Sequence, residues 1–256
     1  MSTRVKLCQL CVAPKQQQQN SQFQTQKQNQ LHVFDKIKLE ITMTQGYLIT
    51  FEGLDRSGKT TQSSELSRFL EAQKLDVLEL SFPNRLTPTG NLLTKYLTDN
   101  TDKTEPESTW DLSDETLHLL FSANRWEQKG KIEQALNQGQ FVVTDRYSHS
   151  GIAYSLAKGL DEGWCTNTEV GLPQPDLIFY LQIEPDQAQR RSDYGREKYE
   201  TIAVQREVER AYNQILVTHK PENWCVLDAN QEHTQIHGEV VRELESRGML
   251  RHTKRE

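Results

Sequence analysis

Short apolar runs alternate with longer amphipathic stretches from Tyr47 to the C-terminal end of the chain. A run of about four to eight apolar residues bounded by turn residues is typical of a buried strand. The runs that fit this description are residues 47–52, 77–82, 141–144, 176–183 and 224–227. Because helical stretches separate them, we expect these strands to lie parallel in one sheet, with helices covering both faces.

The intervals between these runs carry the spacing of amphipathic helices. One helix is predicted to begin at Lys59 and another to span residues 201–218, and residues 113–137 are long enough for one or two. The apolar faces of the first two helices are Leu66, Phe69 and Leu70, and Val204, Val208, Ala211, Ile215 and Val217. The predicted fold class is α/β in three layers, a five-stranded parallel sheet flanked by helices. Ligands are expected beyond the carboxyl ends of its strands.

Residues 1–44 differ in composition from the rest of the chain. A glutamine run at residues 16–19 lies in a stretch of mostly Gln, Asn, Ser, Thr and Lys, and no acidic residue precedes Asp35. Such a segment has too little apolar surface to offset the entropy lost on ordering, so we predict that it is disordered. Its basic, acid-free character is a weak feature of mitochondrial transit peptides, but few arginines and many glutamines favour an untargeted extension. Met43 is an alternative start.

The composition narrows the classes of function. The chain of 256 residues has a formal net charge of -6, which disfavours binding along a nucleic-acid backbone. No apolar run reaches the roughly 18 residues that cross a bilayer, so no membrane partner is expected. The four cysteines, Cys8, Cys11, Cys165 and Cys225, are too scattered for a disulfide-built fold, and a lone C-x-x-C does not make a zinc site. We expect a reducing compartment, the cytoplasm, with the nucleus as an alternative.

A phosphate-binding loop follows the first predicted strand. Residues 53–60, GLDRSGKT, match G-x-x-x-x-G-K-T between a strand and a helix, which is the context that this motif requires. Glycine lets the backbone turn sharply and approach phosphate, and the amides at the helix start bind anions. Lys59 would bridge the outer phosphates, and the Thr60 hydroxyl would face Mg²⁺. The sequence therefore predicts a P-loop NTPase fold that binds a nucleoside triphosphate.

Two charged residues inside the loop and an acidic strand end extend this predicted site. Asp55 fits a neighbouring sugar hydroxyl, and Arg56 can stabilise charge on the transferred group; the alternative is that both point to solvent. The third predicted strand ends at Asp145, the Walker B pattern, so Asp145 is predicted to hold Mg²⁺ or its waters. Arg146 and Tyr147 follow at the strand tip, on the ligand side.

Other P-loop classes fit less well than a kinase does. The chain lacks the N-K-x-D guanine-reading element of GTP switches and the basic tracks of motors and helicases. A small-molecule kinase remains, and it needs a second anion site for its acceptor. Arg85, Arg125 and Arg146 are available for that site, and a guanidinium group suits phosphate better than an ammonium group does.

Segments along the chain resemble, in order, thymidylate kinases of the eukaryotic type, which carry a catalytic arginine in the P-loop. These segments are residues 51–61 (FEGLDRSGKTT), 82–85 (FPNR), 119–127 (LLFSANRWE), 145–151 (DRYSHSG), 170–177 (VGLPQPDL) and 195–200 (GREKYE). The resemblance implies a kinase domain over residues 45–250, with a lid segment at about 190–202, followed by a polar tail at 251–256. It also implies a homodimer packed through helices.

The resemblance implies a role for each candidate site residue. Phe121 stacks on the thymine ring, where the L-L-F run alone would indicate a core aromatic; Arg125 hydrogen-bonds a base carbonyl, and Tyr147 lies under the deoxyribose. The other acceptor-binding residues are Asp55 at the sugar 3′-hydroxyl, Arg85 and Arg146 at the monophosphate, and Phe82, Ser150, Gly151, Tyr199 and Gln205. The ATP-binding residues are Gly53, Arg56, Ser57, Gly58, Lys59, Thr60, Thr61 and Arg191. The catalytic residues are Arg56, Lys59 and Asp145, and the metal ligands are Thr60 and Asp145.

The implied function is ATP-dependent phosphorylation of thymidine monophosphate to the diphosphate, feeding dTTP synthesis, by direct in-line transfer with Mg²⁺. No general base is assigned, because a phosphate oxygen is already a nucleophile. Arg196 and Lys198 in the lid either assist catalysis or are solvated surface charges. The open alternatives are a kinase for another acceptor, such as uridylate or adenylate, and a catalytically silent P-loop binding module. The sequence does not set the preference for thymine over uracil.

Overall fold

A computed structural model of the chain describes residues 46–98, 112–191, 195 and 197–250. These residues belong to one unit, Gln45–Glu256. The predicted disordered tail, the Cys8–Cys11 pair, the polar segment 251–256 and Arg196 lie outside the described residues, and the predicted lid lies partly outside them. The predictions on those segments therefore stay predictions.

The strands form one all-parallel sheet. They are β1 (Tyr47–Gly53), β2 (Val77–Ser81), β3 (Phe141–Asp145), β4 (Leu177–Gln182) and β5 (Trp224–Asp228), in the order β2–β3–β1–β4–β5. The predicted α/β class with a five-stranded parallel sheet is confirmed. Each predicted strand end lies within about one residue of the observed one.

The centre of the sheet determines where the loops meet. β1 lies between β3 and β4, so the order of the strands reverses beside it. Phe51 of β1 is opposite Asp145 of β3, and Glu52 is opposite Tyr180 of β4. The loops that leave β1 and β3 therefore meet at the carboxyl edge, which is where open α/β sheets bind ligands.

Helices join the strands and cover both faces of the sheet. They are α1 (Lys59–Ala72), α2 (Pro88–Thr98), α3 (Asp114–Trp126), α4 (Lys129–Asn137), α5 (Ser148–Leu156), α6 (Glu162–Asn167), α7 (Pro185–Gln189), α8 (Ile202–Thr218) and α9 (His233–Ser246), with a 3-10 turn at Pro221–Asn223. Residues 113–137 thus form two helices. The Ser113 hydroxyl caps α3 by accepting a hydrogen bond from the Thr116 amide at 3.2 Å.

The two faces of the sheet carry different helices. α1 and α9 pack on one face, and α4, α5 and α8 pack on the other. Successive strand residues point to opposite faces, so neighbouring β1 residues belong to different layers. Ile49 lies in the core cluster that contains Leu66 and Leu70 of α1. Leu48 lies in the cluster that contains Ile132 of α4. The P-loop is therefore fixed at its strand end from both sides.

One helix face differs from the prediction. Val208, Ala211 and Ile215 of α8 are buried as expected, but Val217 is 77% exposed, so its assignment to the apolar face was wrong. Two residues after Ile215, a side chain lies about 200° around the helix, on the opposite side. Tyr212 is buried in this face instead, and its hydroxyl donates to a Glu52 carboxylate oxygen at 2.8 Å. No helix in the described part of the chain is long and apolar enough to cross a membrane.

Candidate active site

The P-loop connects the end of β1 to the start of α1 through backbone that turns sharply at two glycines. Gly53 and Gly58 have φ values of 141° and 102°, in the region that glycine adopts most readily. A Cβ atom at Gly53 would lie 2.7 Å from the Leu181 carbonyl oxygen, so the loop also needs glycine for close packing. α1 begins directly after Gly58, and the unbonded amides at its start are available to bind an anion.

Lys59 lies buried within this loop. Its Nζ donates to the Leu54 carbonyl oxygen at 2.5 Å and to the Ser57 hydroxyl at 3.3 Å. Burial, together with the nearby positive charge of Arg146, lowers the pKa of Lys59 to about 8. Phosphates bound beside the ammonium group would favour its charged form and oppose this effect.

Thr60 and Asp145 meet at the carboxyl edge of the sheet. The Thr60 hydroxyl donates to Asp145 Oδ2 at 2.5 Å. The other carboxylate oxygen, Oδ1, is buried and has no hydrogen-bond partner among the described residues. Those residues contain no group of three or more acidic, His or Cys side chains that could hold a metal ion by themselves. One hydroxyl and one carboxylate fit Mg²⁺, which takes few protein ligands and completes its shell with phosphates and water.

Asp55 points inward from the P-loop and not into solvent. Its Oδ1 accepts from Arg146 Nη2 at 2.5 Å, and its Oδ2 accepts from the Tyr154 hydroxyl at 2.8 Å and from Gln205 Nε2 at 2.7 Å. Burial would raise the pKa of Asp55, but the charges of Arg146 and Lys59 and these hydrogen bonds lower it overall. Asp55 is therefore an ionised acceptor inside the site.

Two glutamates in the predicted lid segment contact arginines that the sequence assigns to phosphate. Arg56 Nε pairs with Glu200 at 2.9 Å, and Arg85 Nη2 pairs with Glu197 at 2.5 Å. Arg191 lies on the other side of the P-loop, where it donates to the carbonyl oxygens of Arg56 at 2.7 Å and of Ala229 at 2.5 Å. The P-loop cleft is the open depression lined by Asp55, Arg56, Gly58, Lys59, Thr60, Thr61, Ser81, Phe82, Pro83, Arg85, Asp145, Arg146, Arg191, Glu197 and Glu200.

A second depression adjoins the P-loop cleft. This apolar cavity is lined by Asp55, Phe82, Pro83, Leu97, Leu117, His118, Phe121, Arg125, Arg146, Tyr147, Ser150, Gly151, Tyr154, Ser155, Lys158, Glu197 and Tyr199. Phe121 is half-buried in its wall, one helical turn before Arg125. Five residues line both depressions, Asp55, Phe82, Pro83, Arg146 and Glu197, so a ligand in the cavity can extend a phosphate into the cleft.

Arg125 is held rigidly at the cavity wall. Its Nε and Nη2 donate to the two carboxylate oxygens of Glu169 at 2.7 and 2.6 Å. Gly151 lies against the guanidinium group, and a Cβ atom there would come within 2.4 Å of Nη2. Glycine at this position is therefore what gives Arg125 its place in the cavity.

The segment after β3 is anchored by a buried carboxylate. Glu52 accepts hydrogen bonds from the amides of Tyr147 and Ser150 at 3.0 and 3.2 Å and from the Ser150 hydroxyl at 2.5 Å. Tyr147 is fully buried against Phe82, with ring centroids 5.5 Å apart, and burial raises the pKa of its hydroxyl. That hydroxyl has no hydrogen-bond partner among the described residues. Tyr147 lies in the wall of the cavity.

Comparison with known proteins identifies the family. Residues 51–240 match the family model described as Thymidylate kinase. The chain belongs to the thymidylate kinase family. It is 42% identical to the thymidylate kinase of Dictyostelium discoideum over 196 residues, which cover 76% of this chain and 83% of that protein. It is 44% identical to the thymidylate kinase of Plasmodium falciparum over 200 residues, which cover 78% and 90%.

A solved structure supports the same family. The thymidylate kinase of Candida albicans, described as having broad substrate specificity, aligns with a TM-score of 0.71 and 35% identity. The alignment covers 82% of this chain and 94% of that chain. The resemblance of the separate sequence segments to thymidylate kinases is therefore confirmed at the level of the whole domain.

Within this thymidylate kinase fold, most predicted site residues line one of the two depressions. Gly53, Ser57 and Gln205 do not: the first two shape the P-loop, and Gln205 lies fully buried behind Asp55. Its Oε1 accepts from the Asp55 amide at 2.9 Å. The sequence reasoning missed several residues at the site: Glu52, His118, Tyr154, Lys158, Glu169, Glu197 and Glu200. For Tyr154 a signal existed, since it follows Gly151 by one helical turn.

Proposed function

We propose that this chain transfers a phosphoryl group from ATP to thymidine monophosphate in the joined apolar cavity and P-loop cleft. The observation that carries the proposal is their shared boundary at Asp55, Phe82, Pro83, Arg146 and Glu197. A flat base fits beside Phe121 in the cavity, while its phosphate reaches the cleft where a nucleoside triphosphate lies on the P-loop. The product, thymidine diphosphate, is one phosphorylation short of the DNA precursor dTTP.

The acceptor is held from three sides. Phe121 stacks on the base and Arg125 donates to a base carbonyl oxygen, while Tyr147 lies beneath the deoxyribose and disfavours a 2′-hydroxyl. The ionised Asp55 accepts from the sugar 3′-hydroxyl. The residues that contact the acceptor phosphate or complete its surroundings are Phe82, Arg85, Arg146, Ser150, Gly151 and Tyr199, with Gln205 behind Asp55.

The donor binds along the P-loop. The amides that open α1 hold the phosphates of ATP, Lys59 contacts the outer phosphates, and Arg191 lies against the adenine. The other P-loop residues that contact ATP are Gly53, Arg56, Ser57, Gly58, Thr60 and Thr61. Thr60 and Asp145 would hold Mg²⁺. When bound, this ion neutralises charge on the phosphates.

Transfer is direct and in line. An oxygen of the acceptor phosphate forms a bond to the terminal phosphorus of ATP while the bond from that phosphorus to ADP breaks. The ionised phosphate oxygen needs no general base. Arg56 and Lys59 stabilise the charge that spreads over the transferred group, and Asp145 helps to fix the position of the phosphates. The lid excludes water, which would otherwise accept the phosphoryl group.

The test is an ADP-release assay with ATP and Mg²⁺ and a panel of acceptors. The panel contains thymidine, deoxyuridine, uridine, cytidine, adenosine and guanosine monophosphates. Fast turnover with thymidine monophosphate, with deoxyuridine monophosphate second, is expected, because one methyl group changes binding by about 1–3 kcal/mol. Preference for a ribonucleotide would overturn the roles of Phe121, Arg125 and Tyr147. No turnover with any acceptor would favour a silent binding module.

We further infer a homodimer packed through helices. Leu119 and Trp126 of α3 are 50% and 39% exposed on one face of the helix, and the neighbouring Val170 is 67% exposed. Large apolar side chains exposed together are typical of an interface between subunits. Light scattering on the wild type and on Leu119→Lys measures the molar mass in solution. We expect a dimer for the wild type and a monomer for the variant. A monomeric wild type would reject the inference.

We also infer that residues 45–250 suffice for activity and that the protein acts in the cytoplasm or nucleus. Cys165 and Cys225 are free thiols at least partly buried in the fold, which suits a reducing compartment. A chain that starts at Met43 is expected to keep the full kcat of the intact chain. A large loss of activity would assign the tail a role in the domain, and mitochondrial import of the intact chain would reject the compartment.

A further inference from the structure

The ion pair between Arg125 and Glu169 is more deeply buried than any other described pair at the site. The two side chains are 3% and 5% exposed, against 30% and 6% for Arg56 and Glu200. Burying two charges is unfavourable unless both are paired and hydrogen-bonded. A buried charge pair can be retained because it holds its side chains in one geometry. Here the pair fixes Arg125 at the wall of the apolar cavity.

Glu169 controls which N–H groups of Arg125 face the cavity. Arg125 lines the cavity, but Glu169 does not. A guanidinium group has five N–H donors and no acceptor. Glu169 takes one donor from Nε and one from Nη2, so Nη1 and the second hydrogen of Nη2 remain for a ligand. Without this partner, the long side chain of Arg125 could turn to other rotamers.

Glu169 is itself fixed to the helix that carries the base-binding residues. The Thr168 hydroxyl lies 3.1 Å from Glu169 Oε1. The Thr168 carbonyl oxygen accepts from the Ser122 hydroxyl at 3.1 Å and from Trp126 Nε1 at 2.9 Å. Burial would raise the pKa of Glu169, but the charge of Arg125 and the surrounding hydrogen bonds lower it overall, so the carboxylate is ionised at neutral pH. A fixed anion therefore stands behind Arg125.

We propose that Glu169 is a positioning residue that fixes the free N–H groups of Arg125 toward the C4 carbonyl oxygen of the base and so selects thymine and uracil against cytosine. Thymine and uracil present a carbonyl oxygen where cytosine presents an amino group. A guanidinium held in one place accepts no hydrogen bond, so the amino group would lose its partner and meet a like donor. This inference rests on the proposed acceptor site, and it extends that proposal to a residue that contacts no substrate.

The test compares Glu169→Gln with Glu162→Gln in the same assay at saturating ATP and Mg²⁺. Glutamine keeps the shape of residue 169 but removes the charge. Loss of a charge-assisted arrangement is expected to raise the KM for thymidine monophosphate about tenfold or more, with little change in kcat or in the KM for ATP. The ratio of kcat/KM for thymidine over deoxycytidine monophosphate should fall as well. Glu162 pairs with His219 at 2.9 Å and lines neither depression, so Glu162→Gln should change none of these values.

A double-mutant cycle separates positioning from a general contribution to stability. In an Arg125→Ala background, Glu169→Gln should raise the KM no further, because the residue that it positions is absent. Glu169→Asp, which keeps the charge, should restore part of the wild-type KM and carries the test if Glu169→Gln does not fold. An unchanged KM in Glu169→Gln, or single effects that multiply in the double variant, would overturn the proposal.

The same data distinguish this inference from the proposed function. If the wild-type chain does not phosphorylate thymidine monophosphate, the proposed function fails before any variant is compared. If it does, and Glu169→Gln behaves as the wild type does, only the positioning inference fails.

Discussion

Arg125 in the apolar cavity and Arg85 in the P-loop cleft each pair with a glutamate, but the two pairs are built differently. Arg125 and Glu169 are 3% and 5% exposed, whereas Arg85 and Glu197 are 41% and 35% exposed. Breaking a buried pair costs about 3–5 kcal/mol, while an exposed pair contributes about 0–1 kcal/mol. The buried pair is therefore part of a preformed pocket, and the exposed pair can exchange its carboxylate for a phosphate.

The difference matches what each depression has to do. A base of fixed shape gains most from a wall that does not move, because no binding energy is lost on ordering it. Phosphates enter and leave the P-loop cleft in every turnover. The arginine side chains that bind them therefore need another anionic partner while no phosphate is bound. The Glu197 carboxylate is such a partner for Arg85, without the desolvation cost of a buried pair.

The largest expected effect is at the P-loop arginine. Arg56→Ala should lower kcat by about a thousandfold, because it removes a cation that stabilises charge on the transferred phosphoryl group. The dissociation constant for ATP, measured by calorimetry, should change little, since the P-loop amides and Lys59 remain. Arg68→Ala is the matched control, because Arg68 is exposed on α1 and lines neither depression. A normal kcat in Arg56→Ala would show that Arg56 does not stabilise the transferred group.

The second effect is confined to the apolar cavity. Phe121→Ala should raise the KM for thymidine monophosphate about tenfold or more, because stacking of a base on an aromatic ring contributes about 1–3 kcal/mol. The KM for ATP should stay the same. Leu92→Ala, on the exposed side of α2, serves as the control. Unchanged acceptor affinity in Phe121→Ala would return Phe121 to a packing role with Leu117 and Tyr96.

The comparison also shows what the sequence could predict. The strands and the P-loop depend on contiguous residues, so apolar runs and one local motif located them. The pairs that hold the arginines depend on residues far apart in the chain: 144 positions separate Arg56 from Glu200, and 44 separate Arg125 from Glu169. Spacing carries no information about such contacts. Glu200, a single charged residue in the predicted lid, therefore gave no signal in the sequence. The roles of the predicted site residues stay predictions.

The third effect concerns the stability of the fold at low pH. His149 of α5 is buried between Trp224 and His219, with ring centroids at 4.9 and 5.7 Å, and its Nδ1 has no partner among the described residues. Burial, and then the charge of His219, lower the pKa of His149 to about 3; Arg125 acts in the same direction and Glu169 opposes it.

This pKa fixes the sign of the pH dependence. Between pH 6.5, the ordinary histidine value, and pH 3, the unfolded chain binds a proton at this position that the native chain does not, so acid favours unfolding. The cost is absent above pH 6.5 and reaches about 2 kcal/mol at pH 5. The free energy of unfolding of His149→Phe should therefore fall less steeply between pH 7 and pH 5 than that of the wild type. His233→Phe, at an exposed position, is the control, and parallel curves for His149→Phe and the wild type would contradict the prediction.

The smallest effect tests the comparison most directly. Removing the glutamate's charge is expected to lower the KM at the exposed pair and to raise it at the buried pair. Glu197→Gln removes the carboxylate that competes for Arg85, so the KM for thymidine monophosphate should fall by a factor of up to about five, the range of an exposed ion pair. The difference from the wild type should shrink in high salt. Glu207→Gln, which breaks an exposed pair with Arg210 away from both depressions, should leave the KM unchanged. If Glu197→Gln instead raises the KM, as Glu169→Gln is expected to do, then Glu197 positions Arg85 for phosphate. The exposed pair would in that case belong to the preformed site, and burial would not be what separates the two arginines.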